Sequence, residues 1–246
     1  MIKIITIITK FIVAALMALS LFSCGNSFNI GNGIKGSGNI VDETRTVSQD
    51  FKKIKVSQGI KVVVEQSPNS SIAVEADDNI IKHIVTKVEN NVLIIESDES
   101  YNSTKTPVVN VKLPFINGLS ASSGSNIRSA TVLKTEKLNV SSSSGSQINI
   151  EVEADAIALE SSSGSSIEAS GKALKLETSA SSGSEINAKD LMANEVISQT
   201  SSGSSTSVYP ILKLDAKANS GSSINYHKVP KTLIKDESSG GSVSEN

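Results

Sequence analysis

From about residue 36 onward, apolar residues recur at every second position within short runs, and the runs themselves recur. Such period-two alternation marks strands with one buried face. A Ser-Gly-Ser segment punctuates the runs, with its glycine at 124, 145, 164, 183, 203 and 221, followed by a degenerate Gly240-Gly241. Aligned on that glycine, the position three residues later holds Ile127, Ile148, Ile167, Ile186, Thr206 and Ile224. Seven residues before it stand Asn117, Leu138, Ile157, Leu176, Val196 and Leu214. Between these lie polar residues such as Asn139, Glu160, Lys175 and Glu177. A repeat of about 20 residues is too short for helix pairs or propeller blades and is the size of one β-solenoid coil. The expected fold is all-β: a single-stranded parallel β-helix in which each coil pairs with the next at about 4.8 Å.

The flanking serines share the parity of the core positions, so an unbroken strand would point them inward. At least one serine column is therefore expected just inside the corner, its hydroxyl bonded to backbone or to another hydroxyl. The plainer alternative is serine as solvated turn filler.

Residues 36–116 lack Ser-Gly-Ser but keep the alternation, at Ile54, Val56, Ile60, Val62, Val64, Val92, Ile94, Val109 and Val111. Segment 54–65 reads as the same unit with a different corner. Between Asp77 and Val88 the pattern changes. Here Asp77 or Asp78 is expected to cap one short helix whose Ile80, Ile81, Ile84 and Val85 form an apolar face. Asn90-Asn91 should then turn the chain into a strand. Solenoid ends need caps, and 36–53 and 228–246 are the candidates.

The first 35 residues read as an address and a tether. Lys3 and Lys10 precede an apolar run from Phe11 to Phe22, then Ser23-Cys24. This is a secretory signal pattern over 1–23. Leu21-Phe22-Ser23-Cys24 resembles a bacterial lipobox, which implies that Cys24 becomes the lipidated N-terminus and attaches the protein to a membrane. An ordinary signal with a stray cysteine, or an uncleaved anchor, are the alternatives. Residues 24–35, rich in Gly, Asn and Ser, read as a flexible tether, and 36–246 as the solenoid, divided into 36–116 and the repeats of 117–246. The location expected from this is the cell envelope, anchored by lipid in the outer membrane, with the face left open.

Composition narrows the function classes. Aromatics make up 3% of the chain and Trp is absent, which suits a thin aliphatic core. A formal charge of −2 argues against nucleic acid as a partner. Cys24 is the single cysteine, so no internal disulfide forms.

Several segments resemble the head GIN domain family of auto-transporter adhesins: Gly36-Ser37-Gly38-Asn39-Ile40, Phe51 through Ile60, and Val74-Glu75-Ala76-Asp77-Asp78-Asn79. The Ser-Gly-Ser-x-Ile repeats and the closing Ser-Gly-Gly-Ser fit the same family, so the likeness runs from about 36 to 243. It implies a β-helical envelope or lipoprotein module of the kind common in Bacteroidetes, with an adhesive role and no catalytic motif to carry over.

Direct inspection for chemistry gives the same expectation of no enzyme, no cofactor and no metal. His83 and His227 are far apart, and zinc would lack a partner cysteine. A nucleophilic serine needs a base within reach, and repetition of the same serine in every coil favours a structural cause. Carbohydrate-active β-helices cluster acids on adjacent coils, but Glu160, Glu177, Glu168 and Glu185 fall in different columns. Tyr209 and Tyr226 are too few for a sugar-stacking platform. The expected function is an adhesive or structural surface module with a protein or glycan partner. The alternatives are a glycan-binding or glycan-cleaving β-helix and a periplasm-facing scaffold.

Overall fold

The computed structural model describes residues 33–46 and 50–246. Residues Ile34–Asn246 form one unit, a parallel β-solenoid of about seven turns of roughly 19 residues. The signal segment 1–23, Cys24 and most of the tether lie outside the described residues.

The aligned columns of the sequence are columns in space. Leu138 pairs with Ile157, Ile157 with Leu176, Leu176 with Val196 and Val196 with Leu214, all parallel and in register. Ile127, Ile148, Ile167, Ile186, Thr206 and Ile224 are buried in one stack, as are Leu138, Ile157, Leu176, Val196 and Leu214. Each fully buried aliphatic side chain contributes about 1.5–3 kcal/mol, opposed by the entropy of ordering its backbone.

The later coils are each one long bent strand plus one tight corner. Gln147–Ser161, Ser166–Ala180, Glu185–Thr200 and Ser205–Ala218 run 15, 15, 16 and 14 residues. At one bend, Gly171 has φ +116°, and a Cβ there would sit 2.1 Å from the Val152 carbonyl oxygen. Only glycine lets the two strands approach that closely.

The corners explain the serine spacing. Ser123, Ser144, Ser163, Ser182, Ser202 and Ser220 have φ of 51–56°, and the glycines after them 68–71°. Two successive positive-φ residues make a type I′ turn, closed by bonds such as Ser125 N–H to the Ser122 carbonyl at 3.2 Å. The corners stack as well: the Gly145 N–H donates to the Ser163 carbonyl at 3.2 Å and Gly164 to Ser182 at 3.1 Å.

The two serine columns divide between outside and inside. The leading column, Ser144 and its equivalents, is exposed. The trailing column, Ser125, Ser146, Ser165, Ser184, Ser204 and Ser222, is buried. The Ser146 Oγ accepts the Ser143 N–H at 3.0 Å and lies 2.7 Å from the Ser143 carbonyl and 2.8 Å from the Ala121 carbonyl of the preceding coil. Ser165 repeats this with Ser142, Ser184 with Ser161 and Ser222 with Thr200, each at 2.7 Å. A buried hydroxyl thus ties each corner to the coil before it.

The N-terminal section departs from chain order. Strand Lys53–Val56 pairs on one side with Gly118–Ala121 and on the other with Val92–Ser97. Strand Lys61–Gln66 lies likewise between Asn126–Ser129 and Val108–Leu113. The coil built from 53–66, with Gln58-Gly59 as its corner, therefore sits between a coil made of 92–113 and the first Ser-Gly-Ser coil. Beyond 92–113 the stack is closed by antiparallel strands: Ser71–Asp77 against Val108–Leu113, Ile40–Arg45 against Ser71–Asp77, and Ile84–Glu89 against Val92–Ser97.

The expected helix is corrected here. Residues Ile81–His83 make a single 3-10 turn, and Ile84 is already extended and opens the strand Ile84–Glu89. Neither aspartate caps the turn; its N-cap is Ile80, with no side-chain bond. The apolar spacing fitted a helical face, but β-branched isoleucine and valine pack well on a pleated surface. Ile80, Ile81 and Ile84 are all buried by a chain that turns. The Asn90-Asn91 turn is present, with φ of 53° and 62° joining an antiparallel hairpin.

At the other end, Thr232–Glu237 and Ser242–Glu245 form the last coil. Here Lys235 and Glu237 occupy columns that hold Ala216 and Ala218 one coil earlier. The Lys235 Nζ donates to the Val243 carbonyl at 2.7 Å and lies 5.1 Å from the Tyr226 ring centroid. Glu237 accepts the Val243 N–H. Charge at inward positions blunts a sheet edge against further pairing.

Candidate functional site

Most groups that suggested chemistry in the sequence have structural partners. His83 Nδ1 is 2.8 Å from Asp98 Oδ1, and no serine hydroxyl bonds to His83 among the described residues. Among the described residues no group of three or more His, Cys, Asp or Glu could hold a metal ion. Also among them, no helix is long and apolar enough to cross a membrane.

Two of the segments that carry the family resemblance, 36–40 and 74–79, form one cluster. Asp77 is fully buried and accepts the Gly38 N–H at 2.7 Å, the Thr104 hydroxyl at 2.8 Å and the Thr104 N–H at 3.1 Å. Burial pushes its carboxyl up, but the bonds from Thr104 and Gly38 outweigh that and hold it below the usual carboxylate range. Asp78 is held down by Ser37 and Asn39. Asn79 accepts the Ser37 N–H and donates to the Lys35 carbonyl. A Cβ on Gly36 would lie 2.6 Å from an Asp77 oxygen. Gly-Ser-Gly-Asn and Asp-Asp-Asn are therefore two halves of a clasp that fastens the first strand to the cap.

The open concavity lies on the outer face of the sheet that precedes the corners. Two columns point outward there, Lys53–Gly118–Asn139–Ala158–Glu177 and Lys55–Ser120–Ser141–Glu160–Ser179, one residue per coil. Short side chains in the middle coils leave a trough of about 390 Å³, lined by Lys53, Lys55, Gly118, Ser120, Asn139, Ser141, Ala158 and Glu160. From Lys55 to Glu160 is three coil steps, about 14 Å at the usual strand spacing. Gly118 matters locally: a Cβ there would be 2.9 Å from Lys53 Cγ, so its absence lets the Lys53 stem lie across the floor.

Glu160 and Glu177 also border a smaller groove of about 160 Å³. Both are exposed, and Glu177 is paired with Lys175 at 2.6 Å. A glycosidase acid is a carboxyl withdrawn from water, and neither of these is. A second surface feature sits at the opposite bend, where Leu174, Met192 and Leu212 are 56%, 42% and 38% exposed. Leu174 and Met192 border a groove of about 550 Å³ floored by Ala154 and Ala173.

Sequence reasoning missed the trough. The short outward residues were readable as columns, but Lys53 and Lys55 join them only because coil 53–66 stacks on coil 118–129 across the intervening excursion. Tyr209 and Tyr226 do not form a platform: Tyr226 is buried, and Tyr209 has Lys228 at 5.9 Å from its ring centroid.

The fold and its outward columns define a parallel β-solenoid protein that displays side chains on stacked coils. Solved structures share this fold: a "putative adhesin" from Bacteroides fragilis (20% identity, TM-score 0.82, covering 87% of this chain and 100% of that one). A "putative lipid binding protein" from Parabacteroides distasonis gives 20% identity and TM-score 0.72, covering 87% and 99%. A "putative adhesin" from Parabacteroides merdae gives 19% identity and TM-score 0.68, covering 87% and 98%. No curated protein matches the chain. The chain belongs to the family "putative auto-transporter adhesin, head GIN domain", whose profile matches residues 50–230. Membership places it with adhesin-like proteins of the cell surface or envelope.

Proposed function

We propose that this chain is a non-catalytic adhesive module of the cell envelope, held at the outer membrane by lipid on Cys24, that contacts its ligand through the trough on the pre-corner sheet. The observation that carries this reading is the trough itself. It is a shallow concavity on stacked coils whose exposed lining is mostly apolar; it carries the Ser120 and Ser141 hydroxyls and the Asn139 amide, and among the described residues its lysines and Glu160 stand without ion-pair partners. Stacked coils suit adhesion because they hold such a surface without loops that must be ordered on binding.

Two measurements test it. Cys24→Ser should move the chain from the membrane fraction to the soluble fraction and abolish its labelling by a palmitate analogue. Cells displaying the wild-type chain should adhere to a ligand-coated surface and lose that adherence after protease shaving.

The alternative, a periplasm-facing scaffold with a protein partner, is favoured by the exposed strip of Leu174, Met192 and Leu212, since exposed apolar side chains mark association surfaces. Shaving of intact cells separates the two readings: a chain that resists proteolysis until the outer membrane is opened faces inward.

A further inference from the structure

Charge along the trough is unequal at its two ends. Two lysines of this face further along the solenoid are neutralised, Lys175 by Glu177 at 2.6 Å and Lys217 by Asp236 at 2.9 Å. Lys53 and Lys55 are not: neither forms an ion pair among the described residues. Glu96, on the strand beside them, is already held by Lys87 at 3.1 Å. Three coil steps away Glu160 is likewise without a cation among the described residues. The floor between offers Ser120 and Ser141 hydroxyls and the Asn139 amide, groups that both donate and accept.

We propose that the trough binds an acid-terminated oligosaccharide. Its carboxylate or sulfate ester is held by the ammonium groups of Lys53 and Lys55. Its neutral rings lie along Ser120, Asn139 and Ser141, and a ring hydroxyl donates to Glu160. Charge-assisted hydrogen bonds from lysine supply the strongest contacts, and the serine and asparagine groups match the mixed donor and acceptor character of sugar hydroxyls. Glu160 makes the site selective: a uniformly polyanionic chain, nucleic acid included, would bring charge against that carboxylate. No aromatic face lines the trough, so recognition rests on hydrogen bonds and the terminal charge, with millimolar to micromolar affinity expected.

This inference rests on the adhesive reading above, and the experiment keeps the two apart. The whole chain is titrated calorimetrically with 3′-sialyllactose, 3′-sulfolactose and lactose. Either acidic sugar should bind at least 10-fold tighter than lactose, and preference between them tells carboxylate from sulfate. Lys53→Gln with Lys55→Gln should raise Kd at least 10-fold, while Lys172→Gln with Lys189→Gln, outside the trough, should leave it unchanged. Ser141→Tyr fills the trough with both lysines intact and should abolish binding, with an unchanged thermal melt showing that the fold persists. Equal binding of lactose, equal loss in the two lysine doubles, or no binding of any of the three sugars overturns the proposal. Adherence of displayed chain that survives Lys53→Gln with Lys55→Gln also overturns it and leaves the adhesive reading standing. Sialyllactose binding in solution without adherence by any displayed chain removes the adhesive reading and keeps the site.

Discussion

The inside and outside serine columns make a quantitative comparison possible within one corner. Replacing Ser146, Ser165 and Ser184 by alanine removes three buried hydroxyls that bond neighbouring backbone at 2.7–3.1 Å. The carbonyls keep second partners: the Ser142 oxygen still accepts the Ser162 N–H at 3.0 Å, and the Ser162 oxygen the Ser165 N–H at 3.3 Å. The cost is therefore the net worth of a hydrogen bond, about 1 kcal/mol each, and not that of a stranded polar group. Three such losses come to about 3 kcal/mol. For a chain of this length about 2–4 °C accompanies each kcal/mol, so the melting midpoint should fall about 6–12 °C. The matched variant Ser144→Ala, Ser163→Ala and Ser182→Ala changes only exposed side chains and should shift it by about 2 °C or less. Circular dichroism melts with urea titration at constant m check both. Equal destabilisation by the two triples, or a larger effect from the outer one, would refute the division of the columns.

Three further outcomes follow from the same architecture. Ile148→Asp or Ile167→Asp places a carboxylate in the aliphatic stack and should unfold the solenoid by about 4 kcal/mol or more, whereas Glu160→Ala on the outer face should leave the thermal midpoint unchanged. Lys235→Leu with Glu237→Val removes the inward charges of the last coil; light scattering should then show end-to-end dimers or longer species, and a strictly unchanged mass would count against the cap. Asp77 has its folded carboxyl below the unfolded value of 3.8, so its contribution is complete above that value and disappears as pH falls through the lower folded value. Urea midpoints measured from pH 5 down to pH 2 should fall less steeply in Asp77→Asn than in wild type.

What could be read in advance was whatever the repeat expresses locally. Register needed only the glycine alignment, because Ile127 through Ile224 mark one buried column and a one-residue slip would turn every coil inside out. The inward serine followed from parity. The excursion 67–117 was opaque for a physical reason. Alternating Val and Ile specify a strand but not its neighbour, and the pairing of Lys53 with both Val92 and Gly118 is set by distant contacts. Ile80, Ile81, Ile84 and Val85 satisfy a helical spacing and a buried turn equally well, and the cap's packing decides between them. The trough inherits this difficulty, since its basic end and its floor come from coils 65 residues apart in sequence, as Lys53 and Gly118 show.

Because the antiparallel plug is completed before Gly118, everything that follows is added to a finished foundation. Whole rungs of about nineteen residues can be duplicated or deleted downstream without touching the clasp at Asp77, each altering reach by about 4.8 Å. Removing residues 53–66 instead would take out a middle storey. Length in this architecture is thus a property that selection can tune in fixed increments, while its plugged end stays constant.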